Sequence, residues 1–197
     1  MNDLNGSVAV GEEVTLGRYE NDSFSEPISW RVLSVKEGKA LLITERGIDC
    51  KRYHGKKSSV TWQTCSLRAW LNGEFLQSAF SEEEAKRIVL TTVSPDINPQ
   101  YATDPGAATQ DKVFLLSAVE AESYFACDSD RAARPTMYAE DNGAYCSDGN
   151  CYWLLRTPGK ESKFVCYVTD DGSISLFGDS VCSGGSAIRP AVWVELV

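Results

Sequence analysis

Alternating and clustered apolar positions mark the first part of the chain as sheet. Residues 13–19, 28–35 and 39–44 gather β-branched and aromatic residues, as in Ile28-Ser29-Trp30-Arg31-Val32-Leu33, and Glu37-Gly38 supplies a turn between the last two. An N-terminal strand followed by a β-hairpin is predicted. From Thr64 the period becomes helical: Leu67, Trp70, Leu71 and Phe75 recur on one face, and Asn72-Gly73 is placed to weaken or end the helix. Ser81-Glu82-Glu83-Glu84 and Ser117-Ala118-Val119-Glu120 then both match the capping box, in which a serine oxygen takes an orphan amide and the glutamate three residues on reaches back. Each opens a short helix with one apolar stripe to bury, Ala85, Ile88 and Val89 in the first and Ala121, Tyr124 and Phe125 in the second.

Between these helices, residues 94–111 hold Pro95, Pro99, Pro105 and Gly106 and read as a long loop, after which Lys112–Leu116 reads as a buried strand. Residues 126–150, rich in Asp, Ser, Gly and Arg, read as a second irregular stretch. Beyond it, Tyr152–Thr157, Phe164–Thr169, Ser173–Phe177 and Ala187–Leu196 predict a β-meander with Asp171-Gly172 as one of its turns. The elements sum to an α+β fold: an antiparallel twisted sheet with two to three short helices and long loops. With no internal repeat, low-complexity tract or linker, the expectation is a single domain over residues 1–197.

Composition changes this picture little. Hydrophobic residues make up 43% and charged residues 24% of the chain, which is ordinary for a packed core. The net charge of −9, from 28 acidic against 19 basic residues, repels phosphate backbones, so no nucleic-acid partner is expected. No stretch reaches the ~18 consecutive apolar residues of a membrane span. Residues 1–5 show neither a charged start nor an apolar run, so no secretory signal is read there. The expected location is cytoplasmic, or extracellular or cell-surface if the chain is the trimmed part of an exported protein.

Seven cysteines are many for a cytosolic chain of this length, and the odd count leaves at least one without an intramolecular partner. Scattered buried thiols are one reading. One or two disulfides are the other, with Cys146 and Cys151 the first candidate pair because Asp148-Gly149 between them forms a tight turn. There is no Cys-x-x-Cys pair and the sole histidine, His54, is far in sequence from the cysteine-rich region, so no metal or other cofactor is expected. His54 reads as a solvated residue on an exposed loop. The Gly-x-Ser-x-Gly elbow, the Walker loop, the dinucleotide fingerprint and the His-Glu-x-x-His pattern are all missing, and no catalytic residue is assigned. Asp170-Asp171 read as turn formers. Tyr101, Tyr138 and Tyr145 on the irregular stretches, with Asp148, are the candidate ligand contacts, since tyrosine offers a large contact area with a hydrogen-bonding handle. The five tryptophans, Trp153 and Trp193 among them, are core candidates.

Tyr152-Trp153-Leu154-Leu155-Arg156-Thr157-Pro158-Gly159 and Ala187-Ile188-Arg189-Pro190-Ala191-Val192-Trp193 resemble the Trp-Leu-Arg-Ser-Pro-Gly and Val-Arg-Pro-Ala elements of a bacterial domain family of unknown function. Upstream, Ile28–Leu33, Ser66–Asn72, Ala79–Ser81 and Asp111–Ser117 resemble the same family in the same order. The end of the pattern is also similar to C-type-lectin-like modules, including formylglycine-generating enzymes. This resemblance implies a C-type-lectin-like scaffold whose sheet carries long loops, and a non-catalytic recognition module for a protein or glycan, with a site built from residues 94–110, 126–150 and 178–186. Two alternatives accompany it: a copper/thiol oxidase of the formylglycine-generating type using Cys146 and Cys151, and a structural domain of a larger bacterial surface or phage-like protein. Arg156 and Arg189, on half-buried strands, are expected to lock the sheet through hydrogen-bonded or charged partners rather than to touch a ligand.

Overall fold

The computed structural model describes residues 2–3, 8–20 and 25–196; Met1, Asn5 and Leu4 of the stretch read for a secretory signal lie outside them. A short β1 (Asn2–Asp3) runs parallel to β2 (Glu13–Glu20), which pairs antiparallel with β3 (Ser25–Lys36), and β3 with β4 (Lys39–Thr44). The β3–β4 turn uses positive φ at Glu37 and Gly38, the backbone of a mirror-image hairpin turn, as the Glu-Gly pair predicts. Trp30 in β3 is fully buried and donates its indole N–H to the Leu16 carbonyl at 2.7 Å, joining β2 and β3 through the core.

After β5 (Asp49–Cys50), a 3₁₀ turn at Trp62–Thr64 leads into α1 (Ser66–Trp70), a π-turn at Leu71–Phe75 and α2 (Leu76–Ala79). The Asn72-Gly73 pair therefore widens the helix instead of ending it. Asn72 accepts from the Lys112 and Val113 amides at 2.9 and 3.2 Å and donates to the Val113 carbonyl at 2.8 Å, so the bulge is held from outside the helix. Both capping boxes form, Ser81 at the start of α3 (Glu82–Arg87) and Ser117 at the start of α4 (Ala118–Tyr124). Between them lie β6 (Thr91–Val93), β7 (Thr109–Asp111) and β8 (Val113–Phe114), the last shorter than the expected strand although residues 113–116 are all buried.

Residues 126–150 are less irregular than expected. They hold α5 (Asp128–Arg131), α6 (Met137–Asp141) and β9 (Cys146–Ser147), which forms a hairpin with β10 (Asn150–Cys151). The described residues thus contain six short α segments where two to three were expected. Helices of four or five residues leave no readable periodicity and persist only through tertiary contact.

β11 (Trp153–Pro158), β12 (Phe164–Val168) and β13 (Ile174–Ser180) form the expected meander, with Gly172 in its turn. The last segment does not continue it as one strand. It breaks into β14 (Ala187–Ile188), which lies parallel to β11 and antiparallel to β5, and β15 (Ala191–Glu195), which inserts between β4 and β8. Pro190, with no amide to donate, stands at the break. The two main sheets have the orders β1-β2-β3-β4-β15-β8 and β13-β12-β11-β14-β5. The result is a mixed α/β fold with mostly antiparallel sheets and short helices, whose buried side chains from both sheets form one contiguous apolar cluster. No helix among the described residues is long and apolar enough to cross a membrane.

Arg189 closes the seam between the sheets. It is 1% exposed and donates to the carbonyls of Thr44, Arg131 and Glu45 at 3.0, 3.2 and 3.3 Å, with its guanidinium 4.8 Å from the Trp153 ring and 5.8 Å from that of Phe125. Burial pulls its pKa down to about 10. Arg156 is also buried. It donates to the Leu115 carbonyl at 2.8 Å, and bonds Glu120 at 2.9 Å and Asp96 at 3.2 Å, tying β11 to α4 and to the long loop. Trp153 is fully buried, whereas Trp193 is half-buried beneath the ammonium of Lys36.

Candidate functional site

Ile28 and Ser29 of β3 face a bay whose opposite wall is α6. Thr136 builds that wall: its hydroxyl accepts the Ala139 amide as an N-cap and donates to the Ile48 carbonyl at 3.3 Å, fixing α6 against the segment before β5. Between the walls is a cleft of about 390 Å³. Its floor is apolar, made by Pro27, Ile28 and Ile48, with Met137 at its edge, the rings of Tyr19 and Tyr138 on one side and Glu26, Arg46 and Asp141 on the rim. Met137 is 76% exposed, and among the described residues Arg46 has no hydrogen bond or ion pair.

A buried carboxylate stands behind the tyrosines. Asp49, fully buried, accepts from the Tyr19 hydroxyl at 2.6 Å, the Asn142 side chain at 2.8 Å and the Cys50 amide at 2.7 Å, with Lys51 at 3.3 Å. Burial, then the bond to Asp49, pushes the Tyr19 phenol far above its ordinary range, so it stays a neutral donor. Tyr138 meets Tyr19 edge-on at 5.5 Å between ring centroids. Three polar side chains of the lining are already engaged within the fold: Tyr19 by Asp49, Ser29 by Glu13, and Thr136 by backbone.

The tyrosines singled out in the sequence do not share one surface. Tyr138 lines the cleft. Tyr101 packs edge-on against Phe177 at 6.2 Å, and Tyr145 against Tyr152 at 5.0 Å, with Tyr152 stacked on Tyr167 at 5.5 Å. Asp148 has φ of 51° and with Gly149, at 83°, forms the β9–β10 turn, so its place is set by backbone geometry. The loop at 94–110 is pinned: Asn98 is buried and donates to the Pro158 and Leu176 carbonyls, each at 2.8 Å, and Thr103 to that of Gly159 at 2.7 Å. Of the three stretches expected to build a site, only 126–150 reaches the cleft. Tyr19, Arg46 and Met137 were not singled out in the sequence, because Tyr19 sits in a strand and meets α6 only through the tertiary fold.

One further expectation is corrected. His54 is not simply solvated: it is half-buried and its Nδ1 accepts the Ser66 amide at 3.2 Å at the start of α1. Its neighbour Tyr53 is buried and donates to the Arg156 carbonyl at 3.1 Å. The Asp170-Asp171 pair sits in the β12–β13 turn, where Asp171 accepts from the Thr169 hydroxyl and the Ser173 amide; those bonds hold its carboxyl down at about 2. All seven cysteines are free thiols in the structure, and Cys151 is wholly buried.

The sequence profile of a domain of unknown function (DUF6273) matches residues 37–196. The chain belongs to that family. The match to the DUF6273 domain takes in the motifs around Arg156 and Arg189 but starts after Ile28–Leu33, which lies outside it. Among curated proteins and among solved structures, nothing matches the chain.

Proposed function

We propose that this DUF6273 domain is a non-catalytic recognition module on a C-type-lectin-like frame, and that the cleft between β3 and α6 takes a peptide segment of a partner protein. The observation that carries the reading is the unfilled apolar floor beside the exposed Met137. A flexible thioether at the edge of an apolar bay adapts to side chains of different shape. A sugar needs vacant hydrogen-bonding groups along its whole length, and here Tyr19, Ser29 and Thr136 are engaged within the fold, which leaves such groups only on the rim. One large apolar side chain of the partner fills the floor, and a basic neighbour meets Glu26 and Asp141 on the rim. The acidic chain as a whole favours the same charge. The frame reading is supported by the order of early strands, paired helices, loop-rich insertion and terminal meander.

Selection of a random peptide library on the full chain tests this. Bound peptides are expected to carry a large apolar residue next to Lys or Arg, and Met137→Glu should weaken them about tenfold, ~1.4 kcal/mol, without moving Tm. Peptides insensitive to both Met137→Glu and Tyr138→Ala overturn the cleft as the site. No selected peptide, with binding on a glycan array instead, overturns the peptide ligand.

A further inference from the structure

The β9–β10 hairpin places Cys146 directly opposite Cys151. Asp148 and Gly149 are the only residues between the paired Ser147 and Asn150, and both have positive φ, which makes this a two-residue mirror-image turn. In such a hairpin the pair next to the turn exchanges hydrogen bonds and the following pair does not. The observed bonds fit that register. The Tyr152 amide donates to Tyr145 across the hairpin at 3.3 Å, whereas the Cys151 amide points away and donates to the Ala133 carbonyl at 2.8 Å. Cys146 and Cys151 are therefore a non-hydrogen-bonded pair. Such pairs bring Cα atoms to about 4.5 Å with both side chains on one face, inside the span of roughly 4.4–6.8 Å that a disulfide bridges.

The two thiols differ in access. Cys146 is half-buried, while Cys151 is fully buried, covered by Gly47, where an added Cβ would stand 3.0 Å from the Cys151 sulfur. Burial pushes both thiols up, Cys151 to about 12, and Cys50 on β5 is near enough that its charge would raise each further.

We propose that Cys146 and Cys151 form a reversible dithiol–disulfide site oxidised by low-molecular-weight disulfides, with Cys146 the entering thiol and Cys151 the resolving thiol. The Cys146 thiolate attacks one sulfur of the small disulfide, forming a mixed disulfide and releasing one small thiol. Cys151 gives its proton to solvent and attacks the Cys146 sulfur, releasing the second small thiol. Two protein thiols thus lose two electrons and two protons, and the small disulfide leaves as two thiols. The raised thiols make closure slow at neutral pH and faster as pH rises, which suits a staple rather than a peroxide sensor. Closure ties together the strands that follow α6, and it does so whether or not the cleft takes a peptide.

The full chain is incubated with oxidised glutathione, its remaining thiols are alkylated, and its peptides are mapped by mass spectrometry. The expected product links Cys146 to Cys151, with glutathione retained on the exposed Cys127 but not on Cys146. Cys151→Ser should trap glutathione on Cys146, and Cys50→Ser should leave the link unchanged. Should Cys151→Ser not fold, Cys146→Ser at the half-buried position serves, with Cys151 expected to stay an unmodified thiol. A lasting adduct on Cys146 of the unmutated chain, Cys50 as the linked partner, or ready modification of Cys151 in Cys146→Ser each overturns the proposal.

Discussion

Replacing Arg189 with methionine asks whether a buried cation without a carboxylate partner stabilises this fold. Hydrogen bonds to a charged group contribute roughly 1.5–3 kcal/mol each. Arg189 makes three, to the carbonyls of Thr44, Arg131 and Glu45, but the Arg131 carbonyl also receives the Trp153 indole at 3.1 Å and keeps a partner. Two bonds are then lost without replacement, about 3–6 kcal/mol, and the stacking on Trp153 adds ~1–2 kcal/mol. Against this stands the cost of burying the charge. The fall of the pKa from 12.5 to about 10 corresponds to ~3 kcal/mol at 1.36 kcal/mol per unit. The balance predicts that Arg189→Met loses about 3 kcal/mol, a fall in Tm of roughly 6–12 °C for a chain of this size. Arg189→Lys should be less stable still, since it keeps the charge and lacks the planar fork that spans several carbonyls. Urea and thermal denaturation of the three proteins measure the order. If Arg189→Met equals or exceeds the parent, desolvation outweighs the hydrogen bonds, as it does for many buried ion pairs, and the seam is held by its rings and strands alone.

Two further outcomes follow from local geometry. Gly172 has φ of +86° and a Cβ there would lie 1.7 Å from the Asp128 carbonyl oxygen; Gly172→Ala should cost at least ~3 kcal/mol through a strained backbone and displacement of α5, and a urea midpoint matching the parent's would refute this. Glu84 accepts from Gly17 and Ser81 amides at 2.9 and 2.8 Å; burial pushes its carboxyl up, but the Ser81 hydroxyl and these amides outweigh it and hold the pKa below the ordinary 4.5. A carboxyl lowered in the folded state adds stability that is complete above the unfolded value and is lost as pH falls through the folded one. Glu84→Gln should therefore flatten the stability profile below about pH 4.5, and an unchanged acid limb would contradict the assignment.

Sequence reached furthest where the cause is local. Ser81 and Ser117 find their glutamates three residues on, and Glu37-Gly38 and Asp171-Gly172 have few other backbones open to them. It failed where the cause is distant. The π-turn exists because Asn72 engages amides about forty residues away, and the last strand divides because β5 and β11 claim one half while β4 and β8 claim the other. Of the candidate site, Tyr138 was legible as an aromatic on an irregular stretch, whereas Tyr19 was not, since alternation alone gives no sign that its ring turns toward α6. The Asp148-Gly149 turn was legible and with it the opposition of Cys146 and Cys151. Thr136 was a usable signal that passed unread, a threonine opening a helix that is too short to show a period.

The division at Arg189-Pro190 also governs the order of assembly. β14 is an inner member of one sheet and β15 of the other, so a chain emerging from the ribosome exposes the facing edges of β4, β8, β11 and β5 until residues 187–195 arrive, and both gaps are filled almost together. Pairings such as Ala191 with Ile43 span most of the sequence, which slows folding and lengthens the interval in which those edges invite a neighbouring chain. Cutting the chain ahead of Ala187 would accordingly leave a sticky species with two half-built sheets rather than a smaller folded unit.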